Sequence, residues 1–246
     1  MSETAMQASN HWGVELNVIE PDRDIWTSLL KPPFDPYIEE IHDEGASYLA
    51  VRSSAFDGLT TQLDVHTKAK GLIRCLNAAM AANAGADPVT PGAVVEFSQI
   101  GSPKRHQFIE GQSFTNRSRF YPAELTVRDA EGNIIETPPV ASKAQDWMRA
   151  AAHHPAVASA MEYLSDNSGW GALYNAYEAL DSSGLALKAV TGNKRRLFTQ
   201  TANALERHRK GKVPLPSKPM PLWEARSLIT GWLACAANEV LQSPSE

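Results

Sequence analysis

The chain has 246 residues, of which 43% are hydrophobic and 21% are charged. This composition is typical of folded proteins and excludes an intrinsically disordered chain, and the length suits one large domain or two small ones. The formal net charge of −5 is modest, so charge alone indicates neither a nucleic-acid partner nor a membrane partner.

The front half of the chain predicts a sheet with one long helix. Residues 12–19 alternate apolar and polar side chains, which indicates a half-buried strand, and residues 47–53 form a second strand candidate. An apolar stripe at helical spacing predicts a helix over residues 60–83, with Thr60 or Thr61 as its N-cap and Gly85 as its end. Three further strands are expected near residues 92–99, 104–111 and 121–128.

The hydrophobic period changes from two to about 3.6 residues after Thr137-Pro138-Pro139, so we place a domain boundary there. Helices are predicted at about 142–152, 155–165, 169–181, 194–209 and 221–241. The expected fold class is therefore α+β. A mixed or antiparallel N-terminal sheet with one long helix occupies residues 1–137, and a C-terminal all-α helical bundle occupies residues 142–246.

Cys75 and Cys235 both lie in apolar helical patterns and are predicted to be buried free thiols in a reducing compartment. The sequence contains no metal-site spacing of Cys and His, no phosphate-binding glycine loop and no dinucleotide fingerprint, so neither a metal nor a cofactor is expected. No apolar run reaches the roughly 18 residues of a membrane span, and residues 1–10 are polar. We therefore expect a cytoplasmic protein without membrane contact.

Positive charge is concentrated in residues 193–226, which we call the basic segment. It contains nine basic and two acidic residues, so its charge is +7 and the rest of the chain carries −12. Such a surface can neutralise several phosphates, which favours RNA or another polyanion as a partner. The predicted nucleic-acid contacts are Arg195, Arg207, Arg209, Lys210 and Lys212. The alternative is a solvated helix end, because basic residues gather at helix C-termini for dipole reasons alone.

The helix predicted within the basic segment also carries the parts of a candidate catalytic site. Arg196, Asn203 and Arg207 fall on one helical face, and His208 lies on the neighbouring face. Arginine can clamp a phosphate, and histidine is a general acid or base near neutral pH. Glu178, on the preceding helix, is either an orienting partner of Arg196 or a solvated side chain. In the alternative interpretation, Asn203 and Thr201 satisfy local backbone groups and His208 caps the helix end.

The chain resembles an uncharacterised group of bacterial proteins through motifs in both halves. The motifs are Arg52-Ser53-Ser54-Ala55-Phe56, Leu76-Asn77-Ala78-Ala79, Trp170-Gly171-Ala172-Leu173-Tyr174, Phe198-Thr199-Gln200-Thr201-Ala202-Asn203 and Pro219-Met220-Pro221-Leu222. The helical half also looks like the HEPN superfamily, whose members are small helical bundles and often dimeric RNases of toxin and antiviral systems. Arg149 and His154 match the Arg-to-His spacing of that family, whereas positions 201–203 lack the Arg expected before His208.

This resemblance implies a HEPN-like, nucleic-acid-associated protein, such as a stress or phage-defence RNase that acts as an endoribonuclease without a metal. Its catalytic residues would be Glu178, Arg196, Asn203 and His208, and its helical half would form a homodimer. The alternative is a non-catalytic protein, in which the front half senses or binds a partner and the helical half dimerises.

Overall fold

The computed structural model describes residues 12–43, 46–97, 102–107, 139–165, 169–207 and 214–243. The chain divides into two compact units, which are Met1–Lys70 with Val89–Ser142 and Gly71–Pro88 with Lys143–Glu246. The first unit contains a sheet and the second is helical, which confirms the predicted α+β class. The predicted boundary after residue 137 lies outside the described residues and stays a prediction.

The sheet has five antiparallel strands among the described residues, in the spatial order β2-β3-β1-β4-β5. The strands are β1 (Trp12–Asn17), β2 (Tyr37–Asp43), β3 (Ala46–Arg52), β4 (Thr90–Glu96) and β5 (Lys104–His106). The strands predicted at 12–19, 47–53 and 92–99 are confirmed, and the one predicted at 104–111 has the described strand β5 at its start. The predicted strand at 121–128 lies outside the described residues.

The two faces of the sheet differ in chemistry. On one face, Val14 pairs across the strands with Val51 and Val94, and all three are fully buried. The other face carries charges, because Arg52 binds Glu39 at 2.5 Å and lies over the Phe97 ring at 3.8 Å. The apolar face is therefore core, and the second face combines packing with ion pairs.

Helix α1 (Arg23–Leu29) precedes β2, and the long helix α2 (Gln62–Ala84) follows β3. The Asp64 backbone N–H donates to Thr61 Oγ1 at 3.1 Å, so Thr61 is the N-cap of α2, as predicted. The helix ends at Ala84, and Gly85 directly after it has a φ of 63° that other residues rarely adopt. The division between the two units falls within α2, after Lys70.

The helical unit confirms the five helices predicted after residue 140. They are α3 (Lys143–His153), α4 (Pro155–Ser165), α5 (Trp170–Ser183), α6 (Gly192–Ala202) and α7 (Leu222–Gln242). The helix predicted over 194–209 differs in one respect, because α6 ends at Ala202 and continues as a π-helical turn, Asn203–Arg207. Short 3-10 helices also occur at Glu20–Asp22, Ser54–Phe56 and Leu187–Ala189.

The cysteines of the helical unit have opposite environments. Cys75 is buried, as predicted, and its Sγ lies 3.9 Å from the Ala158 carbonyl oxygen. Cys235 is exposed, so the prediction that it is buried is wrong. It lies in α7 but outside the stripe of that helix that includes Trp232 and Ala236 and faces the core. None of the helices in the described part of the chain is both long enough and apolar enough to cross a membrane.

Candidate nucleic-acid interface

Helix α6 is held in place by one apolar stripe. Phe198, Thr201 and Ala202 are buried, whereas most other side chains of the helix are exposed or half-buried. Thr201 donates from Oγ1 to the Leu197 carbonyl oxygen at 2.8 Å and accepts a hydrogen bond from the Met220 backbone N–H at 3.2 Å. Thr201 therefore ties the chain that enters α7 to the C-terminal end of α6.

The seam between α5 and α6 is aromatic. Phe198 lies among three rings of α5, with centroid distances of 5.8 Å to Trp170, 6.5 Å to Tyr174 and 5.2 Å to Tyr177. Tyr177 also contacts Trp232 of α7 edge-on at 5.7 Å. Aromatic pairs in this distance range stabilise a core beyond the area that they bury. The aromatic stripe of α5 is therefore part of the core.

The charged contact at this seam is made by Arg195. Its Nη2 donates to Asp181 Oδ1 in a short ion pair, and its guanidinium carbon lies 5.6 Å from the centroid of the Trp232 ring. The pKa of Arg195 is raised above its usual value, first by a hydrogen bond to Tyr177 and then by the negative charge of Asp181. Arg195, which was predicted to contact nucleic acid, therefore makes its contacts with other residues of the helical unit.

Two other cations of α6 face solvent. Lys194 and Arg196 are exposed, as is Gln200 one turn further along the helix. Because α6 begins at Gly192, both cations lie within its first five residues. The first turn carries the positive end of the helix dipole, which favours anions and disfavours cations. Lys194 and Arg196 therefore reinforce a positive potential that the helix itself creates.

Asn203 marks the change from α-helix to π-helix. Its Oδ1 is buried and has no hydrogen-bond partner among the described residues. On the same turn, Glu206 lies beside Gly171 of α5, where an added Cβ would be 3.4 Å from Glu206 Cγ. Short π-helical turns occur frequently at functional sites. Four predicted site residues after this turn lie outside the described residues, namely His208, Arg209, Lys210 and Lys212. The side chain of Arg207 also lies outside the described part of the chain.

Glu178 lies on a different part of α5 from the rings that contact α6. It lines an open groove of about 500 Å³ between α4 and α5, together with Ser159, Tyr163, Asn175 and Asp181. Successive helical residues are rotated by about 100°, so Glu178 is displaced around the helix from Tyr177. The structure thus places Arg196 and Asn203 on α6, and Glu178 in the α4–α5 groove.

Sequence reasoning missed Asp181, which lines the groove and also binds Arg195. The available signal was its position one helical turn after Tyr177, on the side of α5 that carries the aromatic stripe. Among the described residues, no group of three or more His, Cys, Asp and Glu side chains is arranged to hold a metal ion.

Comparison of the chain with protein-family models, with curated proteins and with solved structures finds no match. The function must therefore be inferred from the chain's own residues. Three features of α6 are relevant to the function. They are the exposed cations at its start, the π-helical turn after its end, and Arg195, which is ion-paired with Asp181 of α5.

Proposed function

We propose that this is a HEPN-like, nucleic-acid-associated protein whose helical unit binds RNA along the exposed face of α6. The observation that carries the proposal is the position of Lys194 and Arg196. Both are exposed within the first five residues of a helix that has no acidic residue. A nucleic-acid phosphate would be attracted by both side chains and by the positive end of the helix dipole.

The usual explanation of basic helix ends does not apply to these residues. Cations at a helix C-terminus stabilise the helix, but the same cations near an N-terminus destabilise it by up to about 1 kcal/mol each. Asp181 binds Arg195 and thus offsets part of the local charge. The exposed Lys194, in the first turn, therefore carries an energetic cost that a bound polyanion would remove, and Arg196 adds a second positive charge close by.

The binding proposal is tested by charge reversal at Arg196. We expect Arg196→Glu to weaken binding of fluorescently labelled oligothymidylate severalfold at low salt, measured by anisotropy. The slope of log affinity against log salt should become shallower by about 0.7 for each phosphate contact that is lost. DNA is used so that cleavage of a 2′-hydroxyl substrate does not disturb the measurement.

The matched control is Arg74→Glu, because Arg74 is an exposed arginine of α2 in the same unit and its reversal changes the net charge equally. Arg74→Glu should leave both the affinity and the salt slope unchanged. If the two variants weaken binding equally, or if the wild-type protein retains no nucleic acid at low salt, the binding proposal is wrong.

Cleavage is a second candidate activity, and the π-helical turn Asn203–Arg207 favours it. His208 follows this turn directly in the sequence, and the Oδ1 atom of Asn203 on the turn is buried without a hydrogen-bond partner among the described residues. In this proposal His208 is the general acid or base of a metal-independent endoribonuclease, and Arg196 and the side-chain amide N–H groups of Asn203 contact the phosphate.

His208→Ala tests this second activity. We expect it to abolish cleavage of single-stranded RNA in the presence of EDTA, while circular dichroism and oligothymidylate binding stay unchanged. The control is His153→Ala, which removes an exposed histidine from the end of α3. If the wild-type protein binds RNA without cleaving it, the cleavage proposal is wrong and the non-catalytic, partner-binding function is favoured. Analytical sedimentation then tests whether the helical half forms a dimer.

A further inference from the structure

Trp223 is the one tryptophan of the chain that is exposed. Its side chain is 72% accessible, whereas the other five tryptophans are at most 9% accessible. It is the second residue of α7, and Leu222 before it is also exposed, at 41%. Large aromatic side chains dominate protein cores and binding interfaces, so an indole this exposed at the start of a long helix indicates a contact surface.

The position of Trp223 relative to α6 follows from a buried hydrogen bond. Met220, only 3% exposed, donates its backbone N–H to Thr201 Oγ1 on the last turn of α6. Trp223 is three residues further along the chain, so its Cα lies within about 11 Å of that of Met220. Trp223 therefore lies near the C-terminal end of α6, and Arg196 and Lys194 lie about 8 Å and 11 Å further back along the axis of that helix, at a rise of 1.5 Å per residue.

The rest of α7 argues against a lipid surface as the partner. Its apolar stripe, which includes Ile229, Trp232 and Leu233, is buried, and beyond the first turn its exposed positions hold small or polar residues such as Ser227 and Gly231. A helix that lies on a membrane needs an apolar face along much of its length. In α7 the exposed apolar area is confined to the first turn.

Charge argues against a second copy of the chain at this surface. Trp223 lies within the basic segment, which carries +7, so two copies meeting here would place like charges together. A ligand that offers both negative charge and flat aromatic faces complements the surface instead. Single-stranded nucleic acid has both, because its phosphates are charged and its unpaired bases can stack.

We propose that Trp223 is a stacking platform for an unpaired base of single-stranded nucleic acid whose backbone contacts Lys194 and Arg196. This inference rests on the proposed nucleic-acid binding and adds a substrate class to it, namely single strands. Duplexes keep their bases paired and stacked on one another, so they offer no free base to Trp223. The surface therefore discriminates strand type without reading sequence.

Trp223→Leu and Trp223→Phe test the platform. Leucine keeps an apolar side chain but has no aromatic face, and phenylalanine keeps an aromatic face that is smaller than that of tryptophan. With labelled oligothymidylate of about 12 nucleotides, we expect the Kd of Trp223→Leu to rise about tenfold and that of Trp223→Phe to rise less. The Kd for a duplex of the same length should stay unchanged. Leu222→Ala, which truncates the neighbouring exposed side chain, is the matched control and should bind normally.

A fluorescence measurement reads the contact directly. Subtracting the emission of Trp223→Phe from that of the wild type isolates Trp223, because the other five tryptophans are common to both proteins. Oligothymidylate should quench this difference signal, and the duplex should not. As a control, the circular dichroism spectrum and the urea midpoint of each variant should equal those of the wild type, which shows that the substitution has not changed the fold.

The outcomes separate the two proposals. If the wild type binds oligothymidylate but Trp223→Leu binds it equally well, the platform is wrong and nucleic-acid binding stands. Equal losses on single strand and duplex would also overturn the platform. If Trp223→Leu binds oligothymidylate normally and loses retention on phosphatidylserine vesicles, the surface is a lipid site. A wild-type protein that binds no nucleic acid overturns both proposals.

Discussion

Arg195 and Arg196 are neighbours in the chain, but the structure gives their guanidiniums different surroundings. Arg195 binds Asp181 and lies near the Trp232 ring, whereas Arg196 is exposed. The difference follows from helix geometry, because a rotation of about 100° per residue turns one side chain toward α5 and the next toward solvent. One arginine is therefore part of the fold, and the other is available to a ligand.

Replacement of these two arginines should have opposite consequences. We expect Arg195→Ala to lower the free energy of unfolding by about 1 kcal/mol, because it removes an ion pair, a hydrogen bond and a cation–π contact that are partly screened by solvent. Arg196→Ala should change it by less than about 0.5 kcal/mol. Urea denaturation followed by circular dichroism measures both, and equal losses would contradict the different roles assigned to the two side chains.

The two cysteines should differ in reactivity at mildly alkaline pH. Burial raises the pKa of Cys75 to about 12, so at pH 8 roughly one thiol in ten thousand is ionised, and the thiolate is the nucleophile. Cys235 is exposed. We expect iodoacetamide to modify Cys235 and spare Cys75 in the folded protein, as read by mass spectrometry of peptides.

Two controls accompany this prediction. In urea both cysteines should be modified, and the folded Cys235→Ser variant should take up no label. Rapid labelling of Cys75 in the folded protein would contradict the burial of this side chain in the helical unit.

At the scale of elements, the start of α6 lacks the features that usually stabilise a helix. Its N-cap is Thr191, whose side chain makes no capping hydrogen bond, and the third helical residue is Lys194. A glutamate at this third position would complete a capping box with Thr191 and would also suit the helix dipole. The sequence has a cation where helix stability favours an acid.

Lys194→Glu should therefore stabilise the protein while weakening nucleic-acid binding. We expect the free energy of unfolding to rise by about 1 kcal/mol, as measured by urea denaturation. The affinity for oligothymidylate should fall. A Lys194→Glu variant that is both less stable and equally tight in binding would contradict the interpretation of α6.

The elements that the sequence pattern missed are short or polar. Strand β2 alternates poorly because it carries Glu39, Glu40 and His42. The structure accounts for its acidic side chains, since Glu39 binds Arg52 and Glu40 binds Arg23 at 2.8 Å. In this strand, ion pairs with the neighbouring strand and with α1 take the place of the alternating apolar side chains by which a strand is usually predicted. The strand can therefore be identified only once its pairing partners are known.

For the whole molecule, a net charge of −5 conceals a strong asymmetry. The basic segment carries +7 and the remaining residues carry −12. At physiological ionic strength charges separated by more than about 8 Å are largely screened, so a phosphate near α6 responds mainly to the local cations. The net charge therefore does not exclude a polyanionic ligand, and the distribution of charge along the chain is the relevant quantity.

The sequence by itself determined the α+β class and the five helices of the helical unit, because helical periodicity, proline at the start of α4 and the cap at Thr61 are local signals. It also located the basic segment. Tertiary structure decided which side chains of the basic segment form contacts within the protein and which are exposed to solvent. Trp232 is buried and Trp223 exposed, although both lie in α7, and only the packing of neighbouring helices distinguishes them. Exposure depends on contacts between residues distant in the chain, which one sequence does not contain.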